Sequence, residues 1–185
     1  LHPTNRRQRQ MCIRDRRVIL LAYLRPRRDS VVWDVGGGTG ALALEIARLL
    51  PGGRVQALER DPEAVELLER NRARLGIKNL EVFAGQAPAD LVKLAPAPDR
   101  VLLEIGRPLG DVLRAVWEAM APAGRLVIST TSLEGLVDAT DHLGQLAAND
   151  VQVSQSTVHR MVRRSNQTRL APAEPLFVIA AERHP

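Results

Sequence analysis

The stretch VVWDVGGGTG (31–40) constrains this chain more than any other part of it. Five residues with strand character run straight into three glycines spaced two apart. ALALEIARLL (41–50) then repeats its apolar positions at helical spacing. A strand, a tight turn and a helix in that order make the first unit of an α/β fold. The turn falls at the carboxyl end of the strand, where doubly wound sheets bind ligands. Gly36, Gly38 and Gly40 allow positive φ and a close approach to the backbone. The helix starting near Ala41 directs unpaired N–H groups into the same space, which suits a carboxylate or a phosphate.

The rest of the chain repeats the theme. RVQALE (54–59), NLEVFAG (79–85), DRVLLEI (99–105) and RLVISTT (125–131) read as strands. Between them lie helical segments at 62–75, 89–94 and 109–120, and LEGLVDATDHLGQLA (133–147) forms a helix after the last strand. Asp61 is expected to cap the second of these βα helices, with Pro62 at its first position and Gly76 just past its end. RVILLAYLR (17–25) predicts a short amphipathic helix ahead of the first strand. VQVSQSTV (151–158) and PLFVIAAER (175–183) predict two closing strands with no helix between them. A connection without a crossover helix is easiest as an antiparallel pair. Five parallel βα units plus a terminal antiparallel hairpin predict an α/β, Rossmann-like sheet of seven strands, the class I methyltransferase arrangement.

From the glycine loop alone two kinds of nucleotide cofactor remain open. G-x-G-x-G after Asp34 suits the amino-acid end of S-adenosylmethionine. The dinucleotide pattern G-x-G-x-x-G would place a glycine at residue 41, which is alanine, a residue sometimes tolerated there. Glu59, at the end of the second strand, is placed to accept hydrogen bonds from two ribose hydroxyls. Gln86 and Ala87, after the third strand, are candidates for contact with an adenine ring. The expected cofactor residues are therefore Gly36, Gly37, Gly38, Thr39, Gly40, Glu59, Gln86 and Ala87. Glu104, at the carboxyl end of the fourth strand, is the candidate for an acid/base or orienting role.

Composition narrows the class further. No apolar run is long enough to span a membrane and no signal-type segment stands at the start, so a cytoplasmic protein is expected. The single cysteine, Cys12, leaves no internal disulfide framework and no cysteine-based zinc site, and the four histidines show no ligand spacing. The net charge is +5, but residues 1–16 carry five arginines against one aspartate and hold most of it. Global basicity is thus a poor argument for nucleic-acid binding. Residues 1–16 differ in character from the rest of the chain, and MCIRDR (11–16) reads like translated adapter DNA. They are expected to be either a disordered basic arm or foreign to the domain, which then spans 17–185.

Three runs carry a narrower resemblance: VVWDVGGGTGALALEIARL, ALERDPEAVELLERN and NLEVFAGQAP. With PAGRLVISTTSLEGL and TRLAPAEPLFVIAAER they resemble the decarboxylating precorrin-6Y carbon-15 methyltransferases of cobalamin synthesis, over residues 17–183. The resemblance implies S-adenosylmethionine as cofactor and a tetrapyrrole substrate, precorrin-6Y or its cobalt form. Carbon 15 would be methylated and the acetate at carbon 12 would lose carbon dioxide. It also implies a homo-oligomer, such as a tetramer. Carried over by position, cofactor contacts fall on Gly36 to Gly40, Glu59 and Ala87. Three departures stand out. Gln86 occupies a position usually held by aspartate. EIGRPLG (104–110) replaces a glycine-rich loop. A Thr-Lys segment expected near the N-terminus is missing. Arg107 beside the site, and Arg163 and Arg164 in an expected loop between the closing strands, are candidates for pairing with substrate carboxylates. The rival readings are an RNA or protein methyltransferase of the same fold, or a cofactor-binding subunit without catalysis. Few aromatic side chains are present to stack bases, which disfavours a nucleic-acid partner.

Overall fold

In a computed structural model, residues 15–104, 106, 108–164 and 167–184 are described. Nine strands are present among them: β1 (Val31–Val35), β2 (Arg54–Glu59), β3 (Leu80–Ala84), β4 (Arg100–Leu103), β5 (Arg125–Thr130), β6 (Asn149–Ser156), β7 (His159–Arg164), β8 (Gln167–Pro172) and β9 (Leu176–Glu182). Helix α1 covers residues 15–24, and is succeeded by α2 (Ala41–Leu49), α3 (Pro62–Arg74), α4 (Gly110–Ala119) and α5 (Leu133–Gln145). The short helix expected at 89–94 is a 3-10 turn, Ala89–Lys93. None of the described helices is long and apolar enough to cross a membrane.

Seven strands form one sheet in the order β3-β2-β1-β4-β5-β9-β6. β1 to β5 pair in parallel, and β9 runs antiparallel to both β5 and β6. The seven-stranded α/β sheet is the one the sequence predicts, and its last strand lies between β5 and β6. A correction concerns residues 159–172. The sequence predicts a loop carrying arginines here, whereas the segment forms a separate two-stranded antiparallel sheet, β7–β8.

Alternation along the strands sorts the core into two layers. In β1, Trp33 and Val35 face a layer closed by α4 and α5, with Leu113, Val116 and Trp117. Val32 faces the other, closed by α1, α2 and α3, with Leu24, Ile46 and Leu68. Asp34 falls on this second, apolar side and is fully buried. Within α3 the expected punctuation is present. Asp61 accepts the Glu63 amide at 3.0 Å, Pro62 opens the helix, and Gly76 takes φ +64 beyond its end.

Two buried arginines hold α1 against the amino-terminal edge of the sheet. Arg100 on β4 donates Nε to the Arg25 carbonyl at 3.0 Å, and Arg125 on β5 donates Nε to the Tyr23 carbonyl at 2.6 Å. A guanidinium at a helix carboxyl end satisfies orphan carbonyls and complements the helix dipole. Arg125 also pairs with Glu182 at 2.6 Å and donates to Gln152, so one side chain joins α1, β5, β9 and β6. Arg125→Ala strands the Glu182 carboxylate and frees the end of α1. Its expected cost is about 3 kcal/mol, at the lower end for a broken buried pair because Glu182 is partly exposed. Urea denaturation of the variant should show that loss as a lower midpoint. An unchanged midpoint would mean that α1 is held by its apolar face alone.

Candidate functional site

The carboxyl ends of β1, β2, β4 and β5 converge on two adjoining cavities. One, of about 420 Å³, is lined by Glu59, Arg60, Gly85, Gln86, Ala87 and Val112, among others. The other, of about 630 Å³, lies against the glycine turn, Ser129 to Ser132 and the side chains of Arg16, Arg17 and Leu20 from α1. Gly36, Glu104 and Gly106 line both, so the two spaces meet at the end of β4.

The turn between β1 and α2 is shaped by what glycine omits. Gly36, Gly38 and Gly40 have φ of +82, +55 and +71. A Cβ at Gly40 would collide with a Leu68 methyl, and one at Gly37 would collide with Asp34 Oδ2. The first turn of α2 has no side-chain cap and no acidic residue. Its amide groups therefore remain available to an anionic ligand.

Glu59 closes the turn from the side. Its Oε2 accepts the Gly38 amide at 2.8 Å, and its Oε1 accepts those of Arg60 at 2.8 Å and Asp61 at 2.9 Å. These three bonds leave acceptor capacity on a carboxylate with about four lone-pair sites. Gln86 and Ala87 sit in the loop after β3. Asp90 fixes that loop by accepting the Gln86 amide at 2.7 Å. Lys93 beside Asp90, and then that amide, hold the Asp90 carboxyl below its ordinary range.

Asp34 behaves differently. Neither of its oxygens receives a well-aligned hydrogen bond. Burial raises its pKa to about 8, with the nearby charges of Glu104 and then Glu59 adding to the rise and the Ala43 amide opposing it. Glu104 is also pushed upward, chiefly by burial, against a hydrogen bond from Ser129 and the charge of Arg16.

The expected cofactor residues Gly36, Gly37, Gly38, Thr39, Glu59, Gln86 and Ala87 all line these cavities, and Gly40 caps α2 beside them. Glu104 joins them. Arg163 is exposed on the β7–β8 hairpin and does not line either cavity. Arg164 is on the same strand, and its side chain lies outside the described residues, as does Arg107. The sequence pattern does not single out Arg16, Arg17 or the Ser129–Ser132 edge. By sequence Arg16 falls in the basic head, yet it belongs to α1 and reaches to 3.7 Å from Glu174. The polar run STTS beside a strand end is the available signal for the third group.

A family model described as a precorrin methyltransferase domain matches residues 5–179. The chain belongs to the precorrin methyltransferase family. Among curated relatives, a probable cobalt-precorrin-6B C(15)-methyltransferase (decarboxylating) from Pyrobaculum calidifontis is 34% identical over 167 residues, covering 89% of this chain and 85% of that protein. The cobalt-precorrin-6B C(15)-methyltransferase (decarboxylating) of Salmonella typhimurium is 31% identical over 170 residues, covering 90% and 86%. Among solved structures, precorrin-6Y C5,15-methyltransferase from Geobacter metallireducens superposes with a TM-score of 0.83 at 28% identity, covering 90% of this chain and 87% of that one.

Within this methyltransferase fold, Asp34 gives a pH signature independent of catalysis. In the unfolded chain it titrates near 3.8, and in the folded protein near 8. Between these values the folded state holds a proton that the unfolded state has lost. The stability it contributes is therefore complete below pH 4 and is lost as pH rises toward 8, by up to about 1.4 kcal/mol per pH unit. Asp34→Asn should flatten this part of the profile. Urea denaturation from pH 5 to pH 8 measures it, and parallel slopes for the two proteins would contradict the buried-acid reading.

Proposed function

We propose that this methyltransferase moves a methyl group from S-adenosylmethionine to carbon 15 of precorrin-6Y or its cobalt form, with loss of carbon dioxide from the carbon-12 acetate. The observation that carries the reading is the meeting of the two cavities at Glu104 and Gly106. A nucleoside fits the space beside Glu59 and Gln86–Ala87. An amino-acid carboxylate fits the open amides of α2, and Asp34 lies beneath the glycine turn with no aligned partner of its own. The larger cavity then accommodates the acceptor. When bound, the sulfonium cofactor supplies an already activated methyl group.

The residues of the chain contribute position rather than force. Holding the two reactants in line accounts for most of the acceleration such a transfer needs. Glu59 anchors the ribose, the glycine turn admits the amino-acid end, and the Ser129–Ser132 edge with Leu20 and Leu109 shapes the acceptor space. Arg16 and Arg17 bring positive charge to the same space, which suits a substrate rich in carboxylates.

Calorimetric titration tests the cofactor. S-adenosylhomocysteine should bind and NAD should not. Glu59→Ala should weaken the former by about 10- to 100-fold, the equivalent of one or two hydrogen bonds to a charged group. Equal affinity in the variant would remove Glu59 from the site. A carbon-15 methylation assay on precorrin substrate then tests the acceptor.

We also place self-association at the β7–β8 hairpin. An isolated pair of strands is marginal in water, and Met161 and Leu170 face each other across it, 74% and 67% exposed. A second copy of the chain covering this pair is the expected occupant. Light scattering should show an oligomer for the native protein and a smaller particle for the Met161→Ser, Leu170→Ser double variant. A monomer in both cases would refute it.

A further inference from the structure

The larger cavity is lined by Gly36, Thr39, Glu104, Ser129 and Thr130 together with Arg16 and Arg17 from α1. Among the described residues that line it, Glu104 is the one acid. The other two carboxyls nearby are committed elsewhere. Glu59 engages three amides and borders the cofactor space. Asp34 is fully buried beneath Gly37 and lines neither cavity. Of the three carboxyls, Glu104 alone stands where the cofactor space and the acceptor space join.

Loss of carbon dioxide from an acetate side chain also demands a proton. When the bond to the carboxylate breaks, its electron pair stays with the former methylene carbon and spreads into the conjugated ring. That carbon becomes a methyl group only by gaining a proton. We propose that Glu104 donates this proton. Its O–H bond breaks as the new C–H bond forms, and water entering the open cavity returns a proton to the carboxylate. The assignment rests on the precorrin reading of the site.

The surroundings of Glu104 suit a donor. Burial favours its neutral form. The groups that act with it come from three elements: Arg16 on α1, Asp34 on β1 and Ser129 on β5. Arg16 and Ser129 favour the carboxylate, which helps Glu104 release its proton to the substrate carbon. A donor works only while protonated. Turnover should therefore be highest below the raised pKa of Glu104 and fall as pH rises through it.

The experiment compares the native protein with Glu104→Gln and Glu104→Asp, using S-adenosylhomocysteine titration and single turnover of precorrin. Carbon dioxide and methylated product are both monitored across pH. Removing a general acid should slow turnover by about 10²- to 10⁴-fold. Glu104→Gln should show that loss with S-adenosylhomocysteine affinity within about threefold of native. It should also lose the high-pH fall, and Glu104→Asp should recover part of the rate. Turnover of Glu104→Gln within about threefold of native, or an unchanged high-pH limb, overturns the assignment and leaves the precorrin reading intact. A parallel loss of cofactor affinity overturns it too, in favour of a structural role. A native protein that binds S-adenosylhomocysteine but turns over no precorrin overturns both.

Discussion

The carboxylate of Glu59 fixes the spacing between the ends of β1 and β2, and the site is built outward from it. One oxygen holds the Gly38 amide of the turn and the other holds the chain as it leaves β2 for α3. Without that link, the turn would keep its glycines but lose its anchor to the neighbouring strand. Conformational freedom at three positive-φ positions would then work against a defined cavity. Charge-assisted hydrogen bonds to backbone amides are among the stronger polar contacts available to a protein. Here they set geometry, leaving one acceptor direction for a ligand.

The far wall of the cavity depends on contacts made at the opposite end of the sheet. Arg16, Arg17 and Leu20 belong to the front half of α1, whose other end is gripped by Arg100 and Arg125. A helix held at one end by two guanidinium groups and along its length by Leu20 and Leu24 carries its leading turns as a rigid arm. The acceptor wall is thus coupled to Glu182 and Gln152 through a single buried side chain. This explains why two arginines sit at strand starts with almost no exposure, where exposed polar residues would be ordinary.

Much of this was legible in the sequence. The strand, glycine turn and helix at 31–50, the acid at 59 and the Asp61–Pro62 start of α3 all arise from local chemistry, and local chemistry is what a sequence displays. What stayed hidden depends on distant partners. Arg100 and Arg125 look like solvent-facing residues until α1 is docked. RVILLAYL showed that α1 would bury a face, but not which strands would receive it. The β7–β8 hairpin lacks a hydrophobic alternation because it packs on no core of its own, so HRMVRR reads as loop. Asp34 is visible as the acid before the glycines. That its carboxyl lies among apolar side chains emerges only from the alternation of β1 against α2 and α3.

Three acids at the ends of neighbouring strands thus have three environments, and environment rather than identity separates their tasks. Glu59 holds three amides and keeps acceptor capacity for a ligand. Asp34 has burial without aligned partners and is kept neutral across most of the working range of pH. Glu104 lies between these extremes, buried yet open to a cavity, with a hydroxyl and a guanidinium tempering its rise. The loop that begins with it, EIGRPLG, departs from the glycine-rich form that the resemblance implies. A glycine at 104 could shape the cavity but could neither give nor take a proton. A carboxyl there brings acid/base capacity to the place where both spaces meet, between Gly36 and Gly106, which offer backbone alone.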